Sequence, residues 1–272
     1  MKTKLQHKLR SAVAQGLFLI LSVTAATAYS LTPEEQGFQI AAVSDRSDRG
    51  FSDSRVDLKM ILRNAAGHET TRTLAITTLE IPDENQGDKS LIVFHTPPDI
   101  DGTALLSHAR ILDPDDQWLF LPAIKRTKRI SSVNKSGPFV GSEFAFEDLT
   151  SLELNKYDYK YLRSGACGEL LCDVIERYPR YEYSGYSKQV IWVDQDDHQI
   201  RQTEFYDRRG GLLKTLILDD YRNYPGNIWR PHHYNMVNHQ TGKTTELVYS
   251  DFEFQNGLSD RNFIKNVLKR QR

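Results

Sequence analysis

The sequence predicts a mainly β protein organised as one large antiparallel meander. Three observations predict it. Between residues 54 and 254, short runs rich in Val, Ile, Thr, Tyr and Leu are separated by clusters of Gly, Asn, Asp and Pro. A helical pattern with a clear start signal occurs only near residue 33, and no Pro/Ser/Gly-rich linker divides the chain after its leader, so residues 29–272 read as a single domain. With about a dozen strands, the sheet must either close into a barrel or curl and cover its inner face.

Residues 1–28 read as a signal peptide. Lys2, Lys4, Lys8 and Arg10 form a cationic start, Leu17-Phe18-Leu19-Ile20-Leu21 is the apolar core, and Ala26-Thr27-Ala28 is a small-residue cleavage site, with cleavage expected after Ala28. The apolar run is short for a membrane span, which needs roughly 20 apolar residues. Secretion is therefore expected. No Cys adjoins the cleavage point, so the chain is not expected to be a lipoprotein itself.

Thr32-Pro33-Glu34-Glu35 then supplies an N-cap, a proline at the first helical position and a glutamate at the third, the reciprocal capping box. Phe38, Ala41 and Ala42 give that helix one apolar stripe, and it is expected to end between residues 44 and 50. From residue 54 the period changes to two. Val56, Leu58, Met60 and Leu62 alternate with Arg55, Asp57, Lys59 and Arg63, and a turn at Ala66-Gly67-His68 leads into a second strand over 70–81. Further strands are expected at 89–96, 103–112, 117–122, 154–162, 171–178, 188–193, 200–206, 212–221, 228–238 and 244–254. Tyr157, Tyr159 and Tyr161 share one strand face, with more tyrosines on later strands; a surface part apolar and part wet explains them, as does simple β-propensity.

The most specific stretch is 112–149. Asp113-Pro114-Asp115-Asp116 is a turn, and 117–122 a short apolar strand. Lys125, Arg126, Lys128 and Arg129 follow at once, and Ser136-Gly137-Pro138 with Gly141-Ser142 forbids a long regular element while presenting Phe139, Val140, Phe144 and Phe146. A loop with this many aromatics is expected to cover something apolar. Trp118 and Phe120 are the expected walls of that space and Phe139, Val140, Phe144 and Phe146 its movable cover, with ordinary core packing the alternative for each. The four cations either meet anionic headgroups or an acidic partner, or form a solvated edge.

These same residues carry a family resemblance. The run W-L-F-L-P-A-x-K-R-x-x-R-I-S-S at 118–132, followed by K-S-G-x-F-x-G-S-x-F-x-x-E-D-L at 135–149, resembles the bacterial outer membrane lipoprotein-sorting proteins of the LolA-like superfamily. Asp88-Lys89-Ser90-Leu91-Ile92, Pro97-Pro98 with Asp101-Gly102-Thr103, Trp192-Val193-Asp194, Glu204-Phe205-Tyr206-Asp207, Ser250-Asp251-Phe252 and Gly257-Leu258 extend the resemblance over nearly the whole chain after the leader. It implies an open half-barrel, a large curved antiparallel sheet with a few helices over its concave face, holding acyl chains or a lipidated protein. It also implies, by analogy, an inner-membrane exporter of the resistance-nodulation-division (RND) type as partner and transient contact with the membrane.

Other chemistries find little support in the residues. The chain has 35 Lys+Arg against 36 Asp+Glu, and without the leader's four cations the remainder carries a net charge of −5, so generic nucleic-acid binding is not expected. Ser132-Val133-Asn134-Lys135 fits S-x-x-K without its companion motifs, Gly242-Lys243-Thr244 lacks the first glycine of a phosphate loop, and the neighbours His232 and His233 point to opposite faces of a strand. No cofactor or metal site is expected. Cys167 and Cys172 stand five apart in an exported chain, which suggests a local disulfide of modest stabilising effect, with free thiols the alternative.

A carrier, a periplasmic adaptor with a filled interior and an enzyme remain distinguishable by structure. A carrier predicts open apolar space beneath 139–146, an adaptor a packed one, and an enzyme a cleft of perturbed acids or histidines.

Overall fold

The computed structural model describes residues 30–83, 86–151 and 153–270. The expected signal peptide and its cleavage point lie outside the described residues. One helix, α1 (Pro33–Ser47), precedes fourteen strands: β1 (Asp53–Arg63), β2 (Glu69–Leu79), β3 (Gln86–Thr96), β4 (Ala104–Arg110), β5 (Asp116–Leu121), β6 (Arg126–Arg129), β7 (Tyr157–Cys167), β8 (Leu170–Pro179), β9 (Tyr186–Asp194), β10 (Ile200–Asp207), β11 (Leu212–Tyr224), β12 (Ile228–Asn238), β13 (Thr244–Tyr249) and β14 (Glu253–Phe254). Short 3-10 turns complete the described chain. Every expected strand is present, but the one expected over 244–254 is split into β13 and β14, and β6 is an addition: the cationic cluster itself forms a four-residue strand.

The sheet is antiparallel throughout, in the order β6-β5-β4-β3-β2-β1-β13-β12-β11-β10-β9-β8-β7, with β14 paired to β1. It is curved and does not close, as a half-barrel requires. Two meanders meet at the β1–β13 pairing, where Leu58 to Arg63 lie opposite Tyr249 to Thr244. This order has one consequence for the connection between them. β6 and β7 are the two opposite edges, so the segment 130–156 must travel from one edge of the sheet to the other. It crosses the inner face as a lid made of short 3-10 turns.

Pairing register fixes which side chains meet the lid. Val56, Ile76, Ile92, Leu105, Leu119 and Lys128 form one cross-strand row on the inner face. The inner core gathers Leu58, Met60, Leu74, Phe94 and Leu105 with Met236 and Leu247 around Phe139 and Phe144 of the lid. Side chains of period two alternate faces, so Leu91, Val93, Ala104 and Leu106 point outward, where Phe263 and Leu268 from the C-terminal 3-10 turns cover them.

Helix α1 forms where its capping box predicts. Thr32 N–H donates to Glu35 Oε2 at 2.8 Å and Glu35 N–H donates to Thr32 Oγ1 at 3.1 Å. It lies against β7 so closely that a Cβ on Gly37 would stand 2.7 Å from the backbone of Lys160 and Tyr161. Its Ala41 and Ala42 are buried, whereas Phe38 of the expected stripe is 45 % exposed, its ring edge-on to Tyr159. Gly37, which carries no hydrophobic signal, takes its place in the interface.

Candidate ligand-binding site

Beneath α1 and the second half of the lid lies a cavity of about 350 Å3. Its floor is the inner face of β7 to β12, where register places Tyr159, Arg177, Gln189, Phe205 and Lys214 in one row and Tyr161, Ile175, Ile191, Thr203, Leu216 and Met236 in the next. Ala41 closes it from α1 and Phe144 from the lid. Tyr157, Tyr159, Tyr181, Tyr186, Tyr221 and Tyr234 line it, giving a wall that is apolar across the rings and polar at the hydroxyls. The volume falls at the lower end of the roughly 300–1,000 Å3 that ligand pockets span.

The lid over this cavity is held by charge as well as by packing. Glu147 accepts from Gly185 N–H at 2.8 Å, Ser184 Oγ at 2.9 Å and the Tyr181 hydroxyl at 3.1 Å. Burial pushes its carboxyl above the usual range, with the neighbouring Asp148 charge acting in the same direction. Asp148 accepts from Ala145 N–H at 2.7 Å, the Tyr186 hydroxyl at 2.7 Å and Lys214 Nζ at 2.6 Å. Lys214 also donates to Glu143 O at 2.9 Å, and both side chains of its ion pair with Asp148 are less than a tenth exposed. At the far end, Lys156 pairs with Asp115 at 2.8 Å and Gln117 Nε2 donates to Phe146 O at 2.9 Å.

Of the expected lid residues, Phe144 borders the cavity. Phe139 is fully buried, 5.6 Å from Phe94 and 5.5 Å from Phe146 by ring centroids, and Val140 and Phe146 pack around the same inner core. The inner face beneath Phe139 is thus filled, and the open space lies beside it, toward β9 to β12. Trp118 and Phe120 require a correction. They were expected as cavity walls, but Leu119 is the residue of β5 that points inward; Trp118 and Phe120 point outward and pack with Phe263 and Leu268. A strand shows its two faces to two different layers, and here both layers are apolar, so aromatic content alone cannot choose the face.

Lys125, Arg126, Lys128 and Arg129 are all exposed, on and just before the edge strand β6. Arg129 pairs with Asp116; among the described residues Lys125, Arg126 and Lys128 have no carboxylate partner. They lie away from the cavity lining. Cys167 and Cys172 are joined as a disulfide at the end of the β7–β8 hairpin, with Cα atoms 5.9 Å apart. Among the described residues no group of His, Cys, Asp and Glu side chains could hold a metal ion, and His232 instead stacks on Tyr224. The residues that sequence reasoning missed are Glu147, Asp148, Arg177 and Lys214. Lys214 carried a readable signal, as a cation alternating with the inward Leu216 and Leu218, whereas Arg177 shares its strand face with Asp173 and gave none.

The fold is matched by known structures. An outer membrane lipoprotein-sorting protein domain from Vibrio parahaemolyticus is similar at 48 % identity over 87 % of this chain and 100 % of that one, with a TM-score of 0.84. The chain belongs to the outer membrane lipoprotein-sorting protein family. A DUF1329 family protein from Desulfovibrio piger is similar to this family member at 28 % identity, covering 88 % of the chain and 100 % of that one, with a TM-score of 0.83. A LolA superfamily protein from Nitrosomonas europaea shares the fold at 22 % identity over 88 % of this chain and 100 % of that one, with a TM-score of 0.69. A family model described as an uncharacterized protein matches residues 86–270. None of the curated proteins matches the sequence. The lipoprotein-sorting family therefore accounts for the LolA-like half-barrel seen here.

Proposed function

We propose that this protein is a non-enzymatic periplasmic carrier that holds a lipid or the acyl chains of a lipoprotein in the cavity between α1, the lid and β7 to β12. The observation that carries this reading is the unfilled, largely apolar space beside Phe144. Each buried methylene is worth about 0.8 kcal/mol, so a chain of about 15 methylenes resists water by roughly 12 kcal/mol, and its passage between membranes needs such a shield. The leader expected at 1–28 and a disulfide at the end of a hairpin suit an oxidising compartment outside the cytoplasm. Membership of a lipoprotein-sorting family supports the same cargo class.

The partner in this proposal is an inner-membrane transporter of the RND type, with contact made through the exposed Lys125, Arg126 and Lys128 at the β6 edge. The same cations would favour transient contact with anionic headgroups. A second reading, an adaptor subunit of such a transporter that carries nothing, draws on one observation: the face beneath Phe139 and Phe146 is fully packed. The two are separated by native mass spectrometry with lipid extraction on detergent-free protein. A stoichiometric acyl lipid supports the carrier; protein that is empty and binds no added lipid supports the adaptor.

A further inference from the structure

Arg177 sits mid-strand on β8 with its side chain on the inner face, 4 % exposed, in the row Tyr159–Arg177–Gln189–Phe205–Lys214. Its Nε donates to Gln189 Oε1 at 2.7 Å and its guanidinium carbon stands 4.7 Å from the centre of the Tyr157 ring. Among the described residues no carboxylate pairs with it. Lys214 in the same row shows the contrast, since Asp148 neutralises it at 2.6 Å. The seven carboxylates of the cavity lining are engaged elsewhere: Glu147 by Gly185, Ser184 and Tyr181, Asp148 by Lys214 and Tyr186, Asp45 by Arg49, Asp48 by Arg230, Glu80 by the N–H groups of Gly50 and Ser52, Asp88 by Ile81 N–H, and Glu153 by Ser151 Oγ and Asp88 N–H.

A buried charge is normally paired, because removing it from water without a counter-charge is costly. Arg177 and Gln189 both line the cavity, next to the apolar Ile191, Phe205, Leu216 and Met236. With Nε engaged, the two Nη groups keep the forked donor geometry that matches a carboxylate or phosphate. We propose that Arg177 is the anchor for an acidic head group, so that the cavity takes an amphiphile with a carboxylate or phosphate at one end and an acyl chain lying over Phe205, Leu216 and Met236. This rests on the carrier reading and specifies the polar end of its cargo.

Delipidated protein is titrated with palmitate, methyl palmitate, lysophosphatidic acid and inorganic phosphate, each against the wild type, Arg177→Met and Arg177→Lys. A charge-assisted contact predicts that the wild type binds palmitate roughly ten- to hundredfold tighter than its methyl ester. Arg177→Met should lose that preference while keeping its affinity for the ester, and Arg177→Lys should retain part of it. Arg177→Met, free of a buried unpaired charge, should also unfold at or above the wild-type temperature without ligand. Equal binding of acid and ester by the wild type overturns the anchor and leaves the carrier reading standing, whereas no binding of either removes both. Inorganic phosphate bound as tightly as lysophosphatidic acid overturns the amphiphile, since the site then serves a free anion. A sharp fall in the unfolding temperature of Arg177→Met overturns the proposal in favour of a purely structural arginine.

Discussion

Phe139 is the side chain on which the lid is seated, and its removal tests whether that half of the lid is part of the core or a hinged cover. The ring is fully buried, touches Phe94 and Phe146, and belongs to the same cluster as Leu58, Leu74 and Met236 from both meanders. Buried Phe→Ala changes cost about 3–5 kcal/mol through lost transfer energy and the hole left behind. The site has little means of collapsing, because the rows beneath it are fixed by strand pairing on both sides. For a chain of this size each kcal/mol lowers the unfolding midpoint by about 2–4 °C, so Phe139→Ala should lose roughly 6–20 °C in a thermal scan followed by circular dichroism. Phe144→Ala, beside space that is already open, should cost less. A loss below about 1 kcal/mol for Phe139→Ala would refute the reasoning, since it would mean that the ring contributes no more than an exposed one.

Three further predictions address the helix, the lid and the cavity lining. Gly37→Ala forces a Cβ to within 2.7 Å of the β7 backbone, and should destabilise by about 1–3 kcal/mol in urea unfolding, whereas Ser44→Ala should have little effect. Lys214→Met strands the buried Asp148 carboxylate and should cost about 3–5 kcal/mol; adding Asp148→Leu should recover much of it in a double-mutant cycle, and simple additivity would contradict a coupled pair. Asp88 is pushed up to about 7, chiefly by burial and further by Glu153 and Glu80. The folded state therefore binds a proton that the unfolded chain releases near 4, and this group's contribution to stability falls as pH rises from about 4 to about 7. Asp88→Asn should flatten that part of the stability profile and raise the midpoint at pH 8; an unchanged profile would show that Asp88 titrates normally.

The fold was legible because its signals are local. The capping box at Thr32 to Glu35 and the alternation of β1 act within a few residues, and each element appears where those signals place it. The lid's composition was legible too, since Phe139 and Phe144 do lie over an apolar face. The cavity's position was not, because it depends on which strands become edges. Only the sheet order, with β6 and β7 at opposite ends, sets the path of 130–156 and leaves space over β9 to β12. Trp118 and Phe120 were misplaced for a related reason: the outer face of β3 to β5 is covered by Phe263 and Leu268, from a C-terminal segment more than a hundred residues away in sequence. Lys214 broke the apolar alternation of Leu216 and Leu218, a pattern that marks either an error of register or a functional position, whereas Arg177, on the same face as Asp173, gave no such signal.

Native mass spectrometry of the detergent-free protein beside a cavity-narrowing Leu216→Trp variant tests the carrier most directly. Leu216 lines the space, and an indole there should narrow it while the sheet remains paired. The expected result is a stoichiometric acyl lipid on the wild type and less of it on Leu216→Trp, with both proteins folded by circular dichroism. A wild type that carries nothing and takes up no added lipid, or a variant that binds as well as the wild type, would contradict a lipid-holding cavity at this site.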